Sequence, residues 1–66
     1  MNTEATVTKK YRVHYIVWYN GTAHNRELYV EAPYKLEARR IAALKILNIE
    51  PEADDYEIHG DITEIQ

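Results

Sequence analysis

The sequence contains no cysteine and no serine. The first absence excludes a disulfide framework, a thiolate zinc site and a cysteine nucleophile; the second excludes a serine nucleophile. Glycine is nearly missing too, with single residues at 21 and 60, so no glycine-rich loop can cradle a phosphate. No segment approaches the roughly 20 apolar residues of a bilayer-spanning helix, and residues 1–10 hold no apolar run of signal-peptide length. With no cysteine to place it in an oxidising compartment, the chain is expected to be soluble and cytoplasmic, without membrane contact.

At 66 residues the chain has room for one small core. A domain this short buries about 60% of the surface its unfolded form exposes, which leaves stability marginal. It is also too small to enclose a ligand pocket of roughly 300 Å3 or more. A catalytic role is therefore not expected, and neither is a bound cofactor or metal.

Charge is unevenly spread. Residues 1–45 hold all eight Lys and Arg side chains against Glu4, Glu27, Glu31 and Glu37, a balance of +4. Residues 46–66 hold seven acids and no Lys or Arg, a balance of −7. A dedicated nucleic-acid binder needs a net basic surface, because neutralising phosphates supplies most of its affinity. The net charge of −3 argues against DNA or RNA as the main partner.

Residues 1–9 read as a flexible N-terminus and 10–66 as one domain. In Tyr11-Arg12-Val13-His14-Tyr15-Ile16-Val17-Trp18-Tyr19 the odd positions are Tyr or Val throughout, the period of two that marks a strand. Asn20-Gly21 is a turn signal, and Thr22 to Arg26 is expected to lengthen it into a loop. Asn20-Gly21-Thr22 also matches the glycosylation acceptor pattern, but without a secretory signal it reads as a turn. Glu27 to Glu31 alternates again, with Leu28, Val30 and Ala32 on one face. Pro33 fits the first turn of a helix, and Tyr34 to about Leu47 has the Ala, Leu, Lys, Arg and Glu content of one. Ala38, Ile41, Ala42 and Lys45 recur at helical spacing. Asn48 can end the helix, Glu50 to Asp55 reads as a solvated acidic connector, and Tyr56, Ile58 and Ile62 form a last strand. Gly60 inside it marks a bulge or a close helix approach.

The order β-β-α-β predicts a single α+β domain: a three-stranded antiparallel sheet in the order 2-1-3 with one helix on one face. Val13, Val17, Leu28, Val30, Ile58, Ile62 and the tyrosines of the first strand make the expected core. Nothing remains in the sequence to cover the other face.

That open face carries the candidate binding residues. Ile16, Trp18 and Tyr29 are expected to stand there as apolar anchors among Arg12, His14, Glu27, Glu31, Glu57 and Asp61. Anchors rimmed by charge are what a protein interface requires. His14 and His59 fall on the same face, yet no HxH or HExxH spacing supports a metal site. A second exposed strip is expected on the back of the helix at Leu36, Ala43 and Leu47, unless the helix rolls to bury Leu44 and Leu47. Either patch could close a homodimer.

Val30-Glu31-Ala32, followed by Lys35-Leu36-Glu37-Ala38-Arg39-Arg40-Ile41-Ala42, resembles a class of very small phage and mobile-element accessory proteins. In these a hairpin ends in V-x-A, a helix with an E-A-x-x-x-A core follows, and one strand closes the domain. The layout is similar to that of the small inhibitor of host RNA polymerase found in some podophages. The resemblance implies a phage or prophage protein that binds and modulates a host protein in the host cytoplasm. The alternatives are a single-stranded nucleic-acid binding module or a homo-oligomeric structural protein.

Overall fold

Alternating β-branched and aromatic residues put the first half of the chain into a long hairpin. A computed structural model describes residues 7–65; for residues 1–6 the expected flexible start lies outside the described residues. Strand β1 spans Lys9–Tyr19 and β2 spans Thr22–Ala32, in unbroken antiparallel register from Lys9 opposite Ala32 to Tyr19 opposite Thr22. The turn is therefore two residues long. Asn20 (φ 53°) and Gly21 (φ 81°) both occupy the left-handed region that suits the strand twist. This corrects the expected loop over Thr22–Arg26: those residues are strand, because the tight turn carries them directly into pairing with β1.

Helix α1 spans Lys35–Ile49. Its N-cap is Tyr34, so Pro33 lies just before the cap and outside the first turn. At the other end the helix continues past Asn48. Pro51 stops it, and the Glu50 amide closes the last turn on the Ile46 carbonyl at 2.9 Å.

Two short strands follow, β3 (Asp55–Ile58) and β4 (Thr63–Ile65), both antiparallel to β1. The main order is β2-β1-β3, with β4 also beside β1, so β1 is the centre of the sheet as expected. The single last strand is split. Ile58 pairs with Tyr15 and Thr63 with Arg12, so residues 59–62 oppose only Val13 and His14. Gly60 turns this insertion with a φ of 74°. Because the excess is an even number of residues, β4 resumes with the same faces as β3.

The helix covers the face of odd-numbered β1 residues. Tyr11, Val13, Tyr15 and Val17 are buried there with Leu28, Val30, Ala32 and Ile62, under Ala38, Ala42 and Ile46. The alanines let α1 sit close to the sheet. Ile46, 1% exposed, completes an i, i+4, i+8 row with them and is the largest fully buried side chain. Among the described residues no helix is long and apolar enough to cross a membrane.

Candidate functional site

The strand pairing arranges the uncovered face in rows of opposed residues. Nearest the hairpin turn, Trp18 stands between Ala23 and Asp55, and Ile16 in the next row stands between Asn25 and Glu57. His14 then lies opposite Glu27, Arg12 between Tyr29 and Thr63, and Lys10 between Glu31 and Ile65. Adjacent same-face rows are about 6–7 Å apart along a strand. Trp18 and Ile16 are thus neighbours, whereas Tyr29 belongs to a separate end of the face, two rows beyond Ile16.

The middle of the face is ionic. Arg12 Nε lies 3.4 Å and His14 Nε2 3.9 Å from the same Glu27 Oε2. Arg12 Nε is buried without an aligned hydrogen bond, so Glu27 holds it by charge alone. The face therefore consists of an apolar corner at Ile16 and Trp18, both half-buried, an ion-paired centre, and an exposed Tyr29 beside Arg12.

One residue expected on this face is placed elsewhere. Asp61 lies in the two-residue excess between β3 and β4 and lines a depression with Lys35, Leu36 and Arg39, on the helix side. Asp55 takes an acidic position on the open face instead, opposite Trp18. His59 follows β3 directly, and its amide donates to the His14 carbonyl at 2.9 Å, which continues the pairing that sets Ile58 opposite Tyr15. Among the described residues no group of three or more His, Asp or Glu side chains is close enough to hold a metal.

On the helix side, the sequence did not reveal a polar cluster at the end of α1. The Glu50 carboxylate accepts from the Tyr19 hydroxyl at 2.5 Å, the Tyr15 hydroxyl at 3.1 Å and Arg26 Nε at 2.9 Å. Only 10% of its side chain is exposed, so Glu50 is not part of a solvated connector. Its pKa is lowered, first by the Tyr19 hydrogen bond. Arg26 reaches it because β2 extends back to Thr22 and sets Arg26 opposite Tyr15 on the covered face. Beside the cluster, the rings of Tyr19 and His24 meet edge to face at 5.8 Å. Both oxygens of the Glu50 carboxylate are held by donors from β1 and β2, which makes the cluster a structural clasp between strand and helix.

The helix back is more apolar than the open sheet face. Leu36, Leu44, Leu47 and Ile49 are 73%, 59%, 55% and 57% exposed. The helix does not roll to bury Leu44 and Leu47; Ala38, Ala42 and Ile46 occupy that contact. Compared with known proteins, the chain matches no family model, no curated protein and no solved structure at a significant level.

Proposed function

We propose that this chain is a non-catalytic protein-binding modulator that engages its partner through the open sheet face. The observation that supports this reading is the uncovered face itself, with Trp18 and Ile16 side by side at one corner and charged rows beside them. Trp18 and Ile16 would supply the desolvated centre of the contact. Arg12, His14 and Tyr29 would supply orientation, since ion-paired and hydrogen-bonding groups at a rim fix register more than affinity. The phage or prophage setting, with a host protein as partner in the host cytoplasm, belongs to this proposal and follows from the resemblance of the 30–42 segment.

A single-stranded nucleic-acid reading would use the same aromatic face. Glu27, Glu31, Asp55 and Glu57 stand on it and oppose phosphate, so the protein partner is the better fit.

The test is affinity capture from a bacterial lysate with wild type and Trp18→Ala, followed by direct titration of any recovered protein against both. The proposal expects a partner whose affinity falls at least about tenfold with Trp18→Ala, the loss expected of a buried aromatic anchor, while the variant keeps its circular dichroism spectrum. Equal binding by wild type and variant, or binding only to oligonucleotides with a steep salt dependence, would overturn it.

A further inference from the structure

We infer that the outer edge of β3 takes up an extended segment of a different protein as an added strand, one that alternates basic and apolar side chains. This edge lies beside the Trp18 and Ile16 corner. The inference does not rest on the reading given above for that corner, because it is read at the Ile58 amide and not at Trp18.

β3 borders the sheet on this side, so one row of its backbone groups faces away from β1. The His59 amide donates to the His14 carbonyl and so points toward β1. Amide direction alternates along a strand, which turns Ile58 and Tyr56 outward. The Tyr56 amide agrees: it donates to Asp55 Oδ1 at 2.8 Å and not to β1. The Ile58 amide and the carbonyls of Tyr56 and Ile58 are then left for an incoming strand. Main-chain hydrogen bonds of this kind carry the affinity of strand addition.

The side chains flanking the edge set the chemistry of the occupant. Asp55 and Glu57 stand on the open face, and both are exposed. Among the described residues neither carboxylate has a cationic partner. On the covered side the half-buried Tyr56 and Ile58 floor a groove whose helix wall includes Leu36, Arg39, Arg40 and Ala43. Arg40 is paired there with Glu37, 2.5 Å away, and Arg39 disfavours a further cation on that side. An added strand points alternate side chains to opposite faces. It therefore meets the two carboxylates with bases and the groove with apolar groups.

Two comparisons select this edge and a foreign chain. β2 forms the other border, but its Glu27 is already engaged by Arg12 and His14, and the depression beside it is lined by Lys10 and Lys45. A second copy does not supply the pattern. Lys10 and Arg12 are the one pair of Lys or Arg residues two apart in the sequence, and both lie in β1 where it is paired on both sides.

The experiment titrates the full chain with the capped hexapeptide Lys-Val-Lys-Val-Lys-Val to about 1 mM, the range of a weak contact, and follows amide hydrogen exchange residue by residue. The inference expects saturable binding with slowed exchange at the Ile58 amide. The scrambled peptide Lys-Lys-Lys-Val-Val-Val should bind at least about tenfold more weakly, because alternation supplies the specificity of an added strand. Glu57→Lys should weaken the alternating peptide by at least about tenfold, since it sets like charges opposite each other, while the circular dichroism spectrum is unchanged. Glu57 is the position to change because Asp55 also holds the Tyr56 amide. Glu57→Gln serves if the charge reversal does not fold. No saturable binding at about 1 mM would exclude the inference. Equal binding of the two peptides, unchanged exchange at Ile58, or full affinity in the folded Glu57 variant would exclude it as well.

Discussion

The Tyr19 hydroxyl donates to Glu50 Oε1 at 2.5 Å, and through this contact the central strand holds the residue that caps the end of α1. Tyr15 and Arg26 complete the clasp on Oε2. The Glu50 carboxyl titrates below its ordinary value of 4.5, because the Tyr19 hydrogen bond, with those of Arg26 and Tyr15, outweighs its desolvation. A depressed folded-state pKa contributes stability that is fully present above the ordinary value and lost as pH falls through the lowered one. Glu50→Gln should therefore cost about 1–2 kcal/mol at pH 7, the scale of charge-assisted hydrogen bonds. The difference should shrink as pH falls below 4.5. Urea denaturation of both proteins at neutral and acid pH checks this.

Tyr15 predicts the opposite limb. Burial first, and then its hydrogen bond to Glu50, push its hydroxyl up to about 12 from 10.0. A raised folded-state pKa contributes stability that is complete below the unfolded value and lost as pH rises through the folded one. Wild type should lose stability between pH 10.0 and about 12. Tyr15→Phe should lose less over the same interval, while being weaker at pH 7 by about 1 kcal/mol for one hydrogen bond. Thermal midpoints measured from pH 7 to about 12 separate the two.

Much of this architecture could be read directly from residue spacing. Tyr and Val at every odd position from 11 to 19 can serve only a sheet with one buried face, so the central strand, the helix-covered side and the 2-1-3 order followed. What could not be read depended on pairing partners. Residues 22–26 have no hydrophobic alternation of their own, and only the register with β1 makes them strand. That register also lifts Arg26 onto the covered face, which is why the Glu50 clasp was illegible in an acidic stretch. Ile46 was legible in principle, since it stands four residues after Ala42 as Ala42 does after Ala38. The division of the open face into two ends was not, because it depends on which β2 residue lies opposite Arg12.

Two glycines carry the two sharpest changes of direction. Gly21 and Gly60 have φ values of 81° and 74°, and a Cβ at either would meet nothing within 4 Å. The cost of alanine is then conformational alone, about 1–2 kcal/mol at each site. Gly21→Ala should act through the hairpin that forms the sheet, whereas Gly60→Ala should loosen only β4. Amide hydrogen exchange distinguishes them. Gly21→Ala should speed exchange across β1 and β2, and Gly60→Ala should speed it at residues 63–65 more than elsewhere.

The helix offers a contrast between two nearby apolar residues. Ile46 is 1% exposed and Leu44 is 59% exposed, so truncating them compares a core position with a solvent-facing one on the same helix. Ile46→Ala should cost about 2–5 kcal/mol by transfer and cavity formation, enough to unfold much of a marginal domain. Ile46→Val, at about 0.5–1.5 kcal/mol, is the measurable version. Leu44→Ala should change the stability of a single copy by no more than about 0.5 kcal/mol, as for other exposed positions. Urea denaturation of Ile46→Val and Leu44→Ala beside wild type checks the contrast: the midpoint should fall clearly for the first and stay close to wild type for the second.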